Sequence, residues 1–140
     1  MQWDVKANAG FSKGLPWLPV ESGYERYNVQ REKKDSGSIY SWYSNLIRLR
    51  HENAALRDGV YVPLESGNRD VFAFGRKAGA KDLVLVVLNT SAKEQQVEIT
   101  GMPAGWPNFG KVLLASPPAD APISQSFRVA PYGVLIAEGQ

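Results

Sequence analysis

The sequence predicts a mainly β fold: an antiparallel Greek-key β-sandwich preceded by an irregular loop and one amphipathic α-helix. Three observations carry this. From Val60 onward, short β-prone runs alternate with turn residues. Ahead of them, residues 36–51 place apolar side chains at helical spacing. The stretch from Met1 to Lys34 follows neither period and is punctuated by Gly14, Pro16, Pro19 and Gly23.

The first element, MQWDVKANAGFSKGLPWL, sets Trp3, Phe11 and Trp17 among Asp4, Asn8, Gly10, Gly14 and Pro16. A run of this kind is held by tertiary contacts, and ordered aromatic loops are where sites often sit. About thirty residues without regular structure is unusual for a self-contained domain, so the sequence reads as part of something larger. Asp35-Ser36-Gly37-Ser38 then offers helix-starting residues, and Ile39, Trp42, Tyr43, Leu46 and Ile47 follow on one face. The helix is expected from Ser36 to His51, with Trp42 and Tyr43 in the core and Arg48 and Arg50 complementing its C-terminal dipole. Ala54 to Gly59 ends it.

The β-prone runs are Val60 to Leu64, Val71 to Arg76, Leu83 to Leu88, Gln96 to Thr100, Lys111 to Ala115, Ser126 to Ala130 and Val134 to Ala137. Turn residues such as Ser66-Gly67-Asn68, Asn89-Thr90-Ser91 and Pro103-Ala104-Gly105 separate them. That spacing suggests a sandwich. Leu83 to Leu88 is apolar on both parities and is placed as a central strand.

Bulk properties exclude several classes. At 140 residues the chain can bury one proper core, but a complete (β/α)8 barrel needs about 250 residues. Sixteen basic against 14 acidic residues give a net charge of +2, and the cluster Arg31-Glu32-Lys33-Lys34-Asp35 mixes signs, so nucleic acid is not an expected partner. Cysteine is absent, which removes disulfides and thiolate metal sites. The longest apolar run, Leu83 to Leu88, is too short for a bilayer, and the N-terminus has no secretory apolar region. A soluble protein is expected, with no membrane, metal or cofactor; the compartment is left open, with the cytoplasm favoured.

No catalytic residue is expected in this chain. Its carboxylates, Asp4, Glu21, Glu25, Asp35, Glu52, Glu65 and Asp70 among them, lie in loops or at element ends without paired spacing. His51 is the lone histidine, no Gly-x-Ser-x-Gly elbow is present, and Gly75 and Gly79 bracket a strand end rather than a phosphate loop. Asn89-Thr90-Ser91 fits a glycosylation sequon, which has meaning only in a secreted eukaryotic protein. Asp4 can act as an Asx-turn residue or orient a substrate hydroxyl or a neighbouring arginine. Trp3 and Phe11 can pack onto a core or stack on a sugar face. Trp106 can anchor its loop or form a surface sugar platform.

The residues Met1-Gln2-Trp3-Asp4, Asn8-Ala9-Gly10-Phe11 and Pro16-Trp17 closely resemble a loop of the α-amylase family (glycoside hydrolase family 13), in its oligo-1,6-glucosidase and α-glucosidase branch. That loop follows the last barrel strand. The family's barrel is followed by a Greek-key sandwich, whose final Pro-Tyr-Gly-like turn is matched by Pro131-Tyr132-Gly133. The resemblance implies that residues 1–57 are a remnant of the catalytic barrel and residues 58–140 the C-terminal sandwich. It also implies that the catalytic Asp and Glu lie upstream, that Gln2, Trp3, Asp4 and Phe11 border the substrate, and that the missing barrel is the partner. The parent would hydrolyse short α-gluco-oligosaccharides with retention. The alternatives are a free-standing carbohydrate-binding module using Trp106, and a structural domain that self-associates through its helix face.

Overall fold

The computed structural model describes residues 1–79, 82–102, 109–118 and 126–139. They fall into two compact units, Met1–Arg48 and Leu49–Gln140.

Regular structure is sparse in the first unit: a 3-10 turn at Ala7–Gly10, helix α1 (Val29–Glu32) and most of helix α2 (Ile39–Glu52). Helix α1 begins at Asn28, whose buried side chain accepts from Arg31 N at 3.0 Å and donates to Tyr24 O at 2.8 Å. The first amides of a helix have no partner within it. Here Val29 N and Gln30 N donate to Gln2 O (3.1 Å) and Trp3 O (2.9 Å), tying the start of the chain to α1. Helix α2 is capped by Ser38 Oγ, which accepts from Ser41 N at 3.1 Å, and by the Glu32 carboxylate on Tyr40 N at 3.1 Å.

The expected helix is therefore present, but the expected core role of Trp42 and Tyr43 is not. No residue of α2 is buried: Trp42 is half-buried, and Tyr43 and Ile47 are 62% and 56% exposed. Helical period fixes which side chains share a stripe. Burial needs a covering element, and among the described residues none buries this stripe.

In the second unit, Ala54 to Gly59 does more than end α2. It forms a separate helix α3 (Ala54–Asp58) with Asn53 as N-cap, accepting from Leu56 N at 3.1 Å. Gly59 follows because a Cβ there would strike the Ala55 carbonyl and the backbone of Lys77. All seven expected runs are strands: β1 (Val60–Pro63), β2 (Val71–Lys77), β3 (Leu83–Asn89), β4 (Gln95–Glu98), β5 (Phe109–Ser116), β6 (Ser126–Val129) and β7 (Val134–Gly139). They pair antiparallel in two sheets, β1-β2-β3-β7-β5 and β4-β6.

Val71, Ala73, Leu85, Val87, Leu135 and Ala137 of the larger sheet meet Val97, Val129 and Ile99 across the core. Strand β3 lies in the middle of its sheet, as its two-sided apolarity demands, and Val84 and Val86 on its other face are buried too. Helix α3 packs against β2 and β3, and Arg76 Nε donates to Ala55 O at 3.4 Å. Among the described residues, no helix is long and apolar enough to cross a membrane.

Candidate functional site

The expected substrate-rim loop is built around an unusual backbone. Asn8, Ala9 and Gly10 are all left-handed, with φ of 57°, 52° and 70°. Such a conformation costs a residue with a Cβ about 1–2 kcal/mol and occurs mostly as single residues. Asn8 tolerates it and Gly10 is free of the penalty. Ala9, fully buried, bears it. Hydrogen bonds hold the turn: Asn8 Nδ2 donates to Ser12 O (3.1 Å) and Gly14 O (3.0 Å). The Ala9 carbonyl accepts from both Trp3 N (2.8 Å) and Asp4 N (3.3 Å), and Phe11 N donates to Asn8 O (3.2 Å).

This scaffold places the four expected rim residues differently. Gln2 is partly buried, while Trp3 and Phe11 are 49% and 48% exposed. The Asp4 side chain is only 20% exposed. Its Oδ1 accepts from Lys6 N at 2.9 Å, an Asx-turn arrangement, and Oδ2 lies 3.7 Å from Lys6 Nζ. A Cβ at Gly10 would fall on this carboxylate, 2.7 Å from its Cγ.

Gln2, Trp3 and Phe11 line an open groove of about 1110 Å³ within the first unit; Asp4 is outside its lining. The groove also gathers Trp17, Tyr27, Tyr40, Tyr43 and Ile47, with Glu21, Glu32 and Lys33 as its charged groups. Trp17 is 92% exposed and Tyr27 65%. Tyr40 was legible in principle, since it lies on the stripe of Tyr43 and Ile47 by helical spacing. Tyr27 sits in an aperiodic stretch and carried no signal. Of the acids, Glu32 is committed to the α2 cap and Glu21 accepts from Ser22 Oγ at 3.3 Å. Chemically, the groove offers flat apolar faces for packing or stacking rather than an acid–base pair.

Trp106 lies outside the described residues. His51, on the last turn of α2, accepts at its carbonyl from Arg57 Nη1 at 2.9 Å. Among the described residues no group of three or more His, Cys, Asp or Glu gathers as a metal site would need. The sequon asparagine has a structural task that sequence reading missed. Asn89 is 4% exposed, and its Nδ2 lies 2.7 Å from Lys93 O, 2.8 Å from Ala130 O and 3.2 Å from Val129 O. The nitrogen that a glycan would occupy is thus spent inside the fold.

Residues 1–59 match the alpha amylase catalytic-domain family. The glucan 1,6-alpha-glucosidase of Streptococcus pneumoniae serotype 4 is 42% identical over 101 residues, covering 72% of this chain and 18% of that protein. The oligo-1,6-glucosidase of Bacillus cereus is 37% identical over 94 residues, covering 67% and 17%. The chain therefore spans about a fifth of the length of the curated relatives it matches. Among solved structures, the trehalulose synthase MutB of Pseudomonas mesoacidophila MX-45 superposes with a TM-score of 0.83 at 37% identity, over 99% of this chain and 24% of that one. With its opening residues matched to that catalytic domain and 101 of its residues 42% identical to a glucan 1,6-alpha-glucosidase, the chain belongs to the α-amylase family.

Proposed function

We propose that this chain is the C-terminal, non-catalytic portion of a retaining α-glucosidase-like glycoside hydrolase acting on short α-glucosides. Residues 1–57 complete the barrel and lend it a substrate-rim loop, and residues 58–140 stabilise it as a sandwich domain. One observation supports the reading: the first unit has an apolar groove of about 1110 Å³, lined in part by an α2 stripe that no described residue buries. Contiguous exposed apolar surface of this kind marks an interaction face. The names of the relatives support the substrate class, and they are several times longer than this chain; the two carboxylates that retaining hydrolysis requires, about 5 to 5.5 Å apart, would belong to the barrel that residues 1–57 complete.

The test is kinetic. In the full-length enzyme containing this segment, Asp4→Asn and Phe11→Ala should each lower kcat/KM for isomaltose or maltose about tenfold. Unchanged kinetics in both would remove the rim assignment. The 140-residue chain alone should release no glucose. A second reading, self-association, is favoured by the same exposed Ile39, Tyr43 and Ile47. Sedimentation should then show a concentration-dependent dimer that Tyr43→Glu dissociates.

A further inference from the structure

Resting on the rim reading above, we propose that the left-handed turn Asn8–Gly10 is a positioning device that presets Trp3 and Asp4 for an α-glucoside, with Asn8 and Gly10 as positioning residues. A strained backbone persists only where its surroundings over-determine it, and such places cluster at functional sites. The strain here falls on Ala9, a buried residue that gains nothing from a positive φ by its own chemistry.

What the turn accomplishes is specific. It turns the Ala9 carbonyl back so that it receives the amides of Trp3 and Asp4 together, at 2.8 and 3.3 Å. The Trp3 carbonyl is meanwhile held by Gln30 N at 2.9 Å. Trp3 is therefore fixed on both sides of its Cα while the residue stays half exposed and lines the groove. An aromatic with a locked backbone and an open face is a preorganised platform for the C–H face of a pyranose, because little freedom remains to be lost on binding. Gly10 contributes by what it lacks: the Asp4 carboxylate occupies the space of its missing Cβ. Asn8 closes the turn through its two amide donations to Ser12 and Gly14. An unstrained reversal is open to almost any sequence, so a loop that merely filled space would have no use for this one.

The experiment compares Asn8→Gly, Gly10→Ala and Ala9→Gly in the full-length enzyme, with p-nitrophenyl α-D-glucopyranoside as substrate and amide hydrogen exchange as the second readout. Asn8→Gly keeps the left-handed backbone accessible and removes only the clamp. It should raise KM about fivefold with kcat within about twofold, and release the Trp3 and Asp4 amides from protection. Gly10→Ala should do the same, whereas Ala9→Gly, which relieves strain without altering the path, should keep the native KM. Trp3→Ala and Asp4→Asn separate the two ideas. If both are silent, the rim reading fails and takes the positioning role with it. If they change KM while Asn8→Gly and Gly10→Ala do not, the rim stands and the positioning role is overturned. Trp3 and Asp4 amides that exchange freely in the native protein would also overturn it.

Discussion

Asn89→Leu should lower the stability of the second unit by about 4 kcal/mol, near the upper end for a single substitution. The side chain is nearly isosteric, so the loss is one of hydrogen bonding rather than volume. Three carbonyls, of Lys93, Val129 and Ala130, face the Asn89 amide nitrogen, and Ser91 donates to its oxygen through both N and Oγ at 2.9 Å. A leucine removes all of these bonds at once and leaves the buried Val129 carbonyl and the half-buried Ala130 carbonyl without the Asn89 donor, a buried orphan costing about 1–3 kcal/mol. The residue also links segments distant in the chain, joining the end of β3 to the end of β6 and to the turn at Pro131-Tyr132-Gly133. There Asn89 N donates to Gly133 O at 2.9 Å and Tyr132 N to Ser91 O at 3.0 Å. Urea unfolding followed by circular dichroism should show the loss at unchanged m. A deficit under about 1 kcal/mol would mean that water enters and replaces the side chain.

Leu85→Ala should cost about 3 kcal/mol and lower the Tm of the sheet-rich unit by roughly 15 °C. Leu85 is fully buried, stands on the central strand β3 and faces the inter-sheet core, so the cavity left has no loose neighbour to collapse into it. Phe72→Ala provides the contrast. Phe72 is 50% exposed and its ring meets Phe74 at 5.4 Å, and its removal should cost about 1 kcal/mol. Equal losses at the two positions would show that the core lies elsewhere than between the sheets.

Much of this fold was legible because strand and turn chemistry are local. The β-prone runs are bounded by Gly, Pro, Asn and Ser, and the two-sided apolarity of Leu83–Val87 fixed β3 as central. The pairing order was not legible. Strand β7 lies between β3 and β5, a choice made by contacts across more than local sequence. Helix α3 was too short to show a period, although Asn53 ahead of Ala54-Ala55-Leu56 was a usable cap signal. Trp42 and Tyr43 illustrate a different limit: periodicity located the stripe, but it could not say whether anything covers it, and no described residue buries it. In the Met1–Leu18 loop, Asn8 and Gly10 are residue types that tolerate positive φ. Ala9 is not, and nothing in an alanine announces a left-handed backbone that its neighbours impose.

The edges of the two sheets carry a consequence for how copies of this chain meet. A long, flat, unpaired strand is a template on which other chains can add. Here β1 ends in Pro63, which has no amide to offer, and β5 is broken by register shifts between Phe109 and Lys111 and between Val112 and Leu114. The smaller sheet consists of two strands of four residues each. None of these edges invites a growing ladder. Crowded copies should therefore adhere through the side chains of the first unit, in clusters that dilution dissolves, and should not seed fibrils.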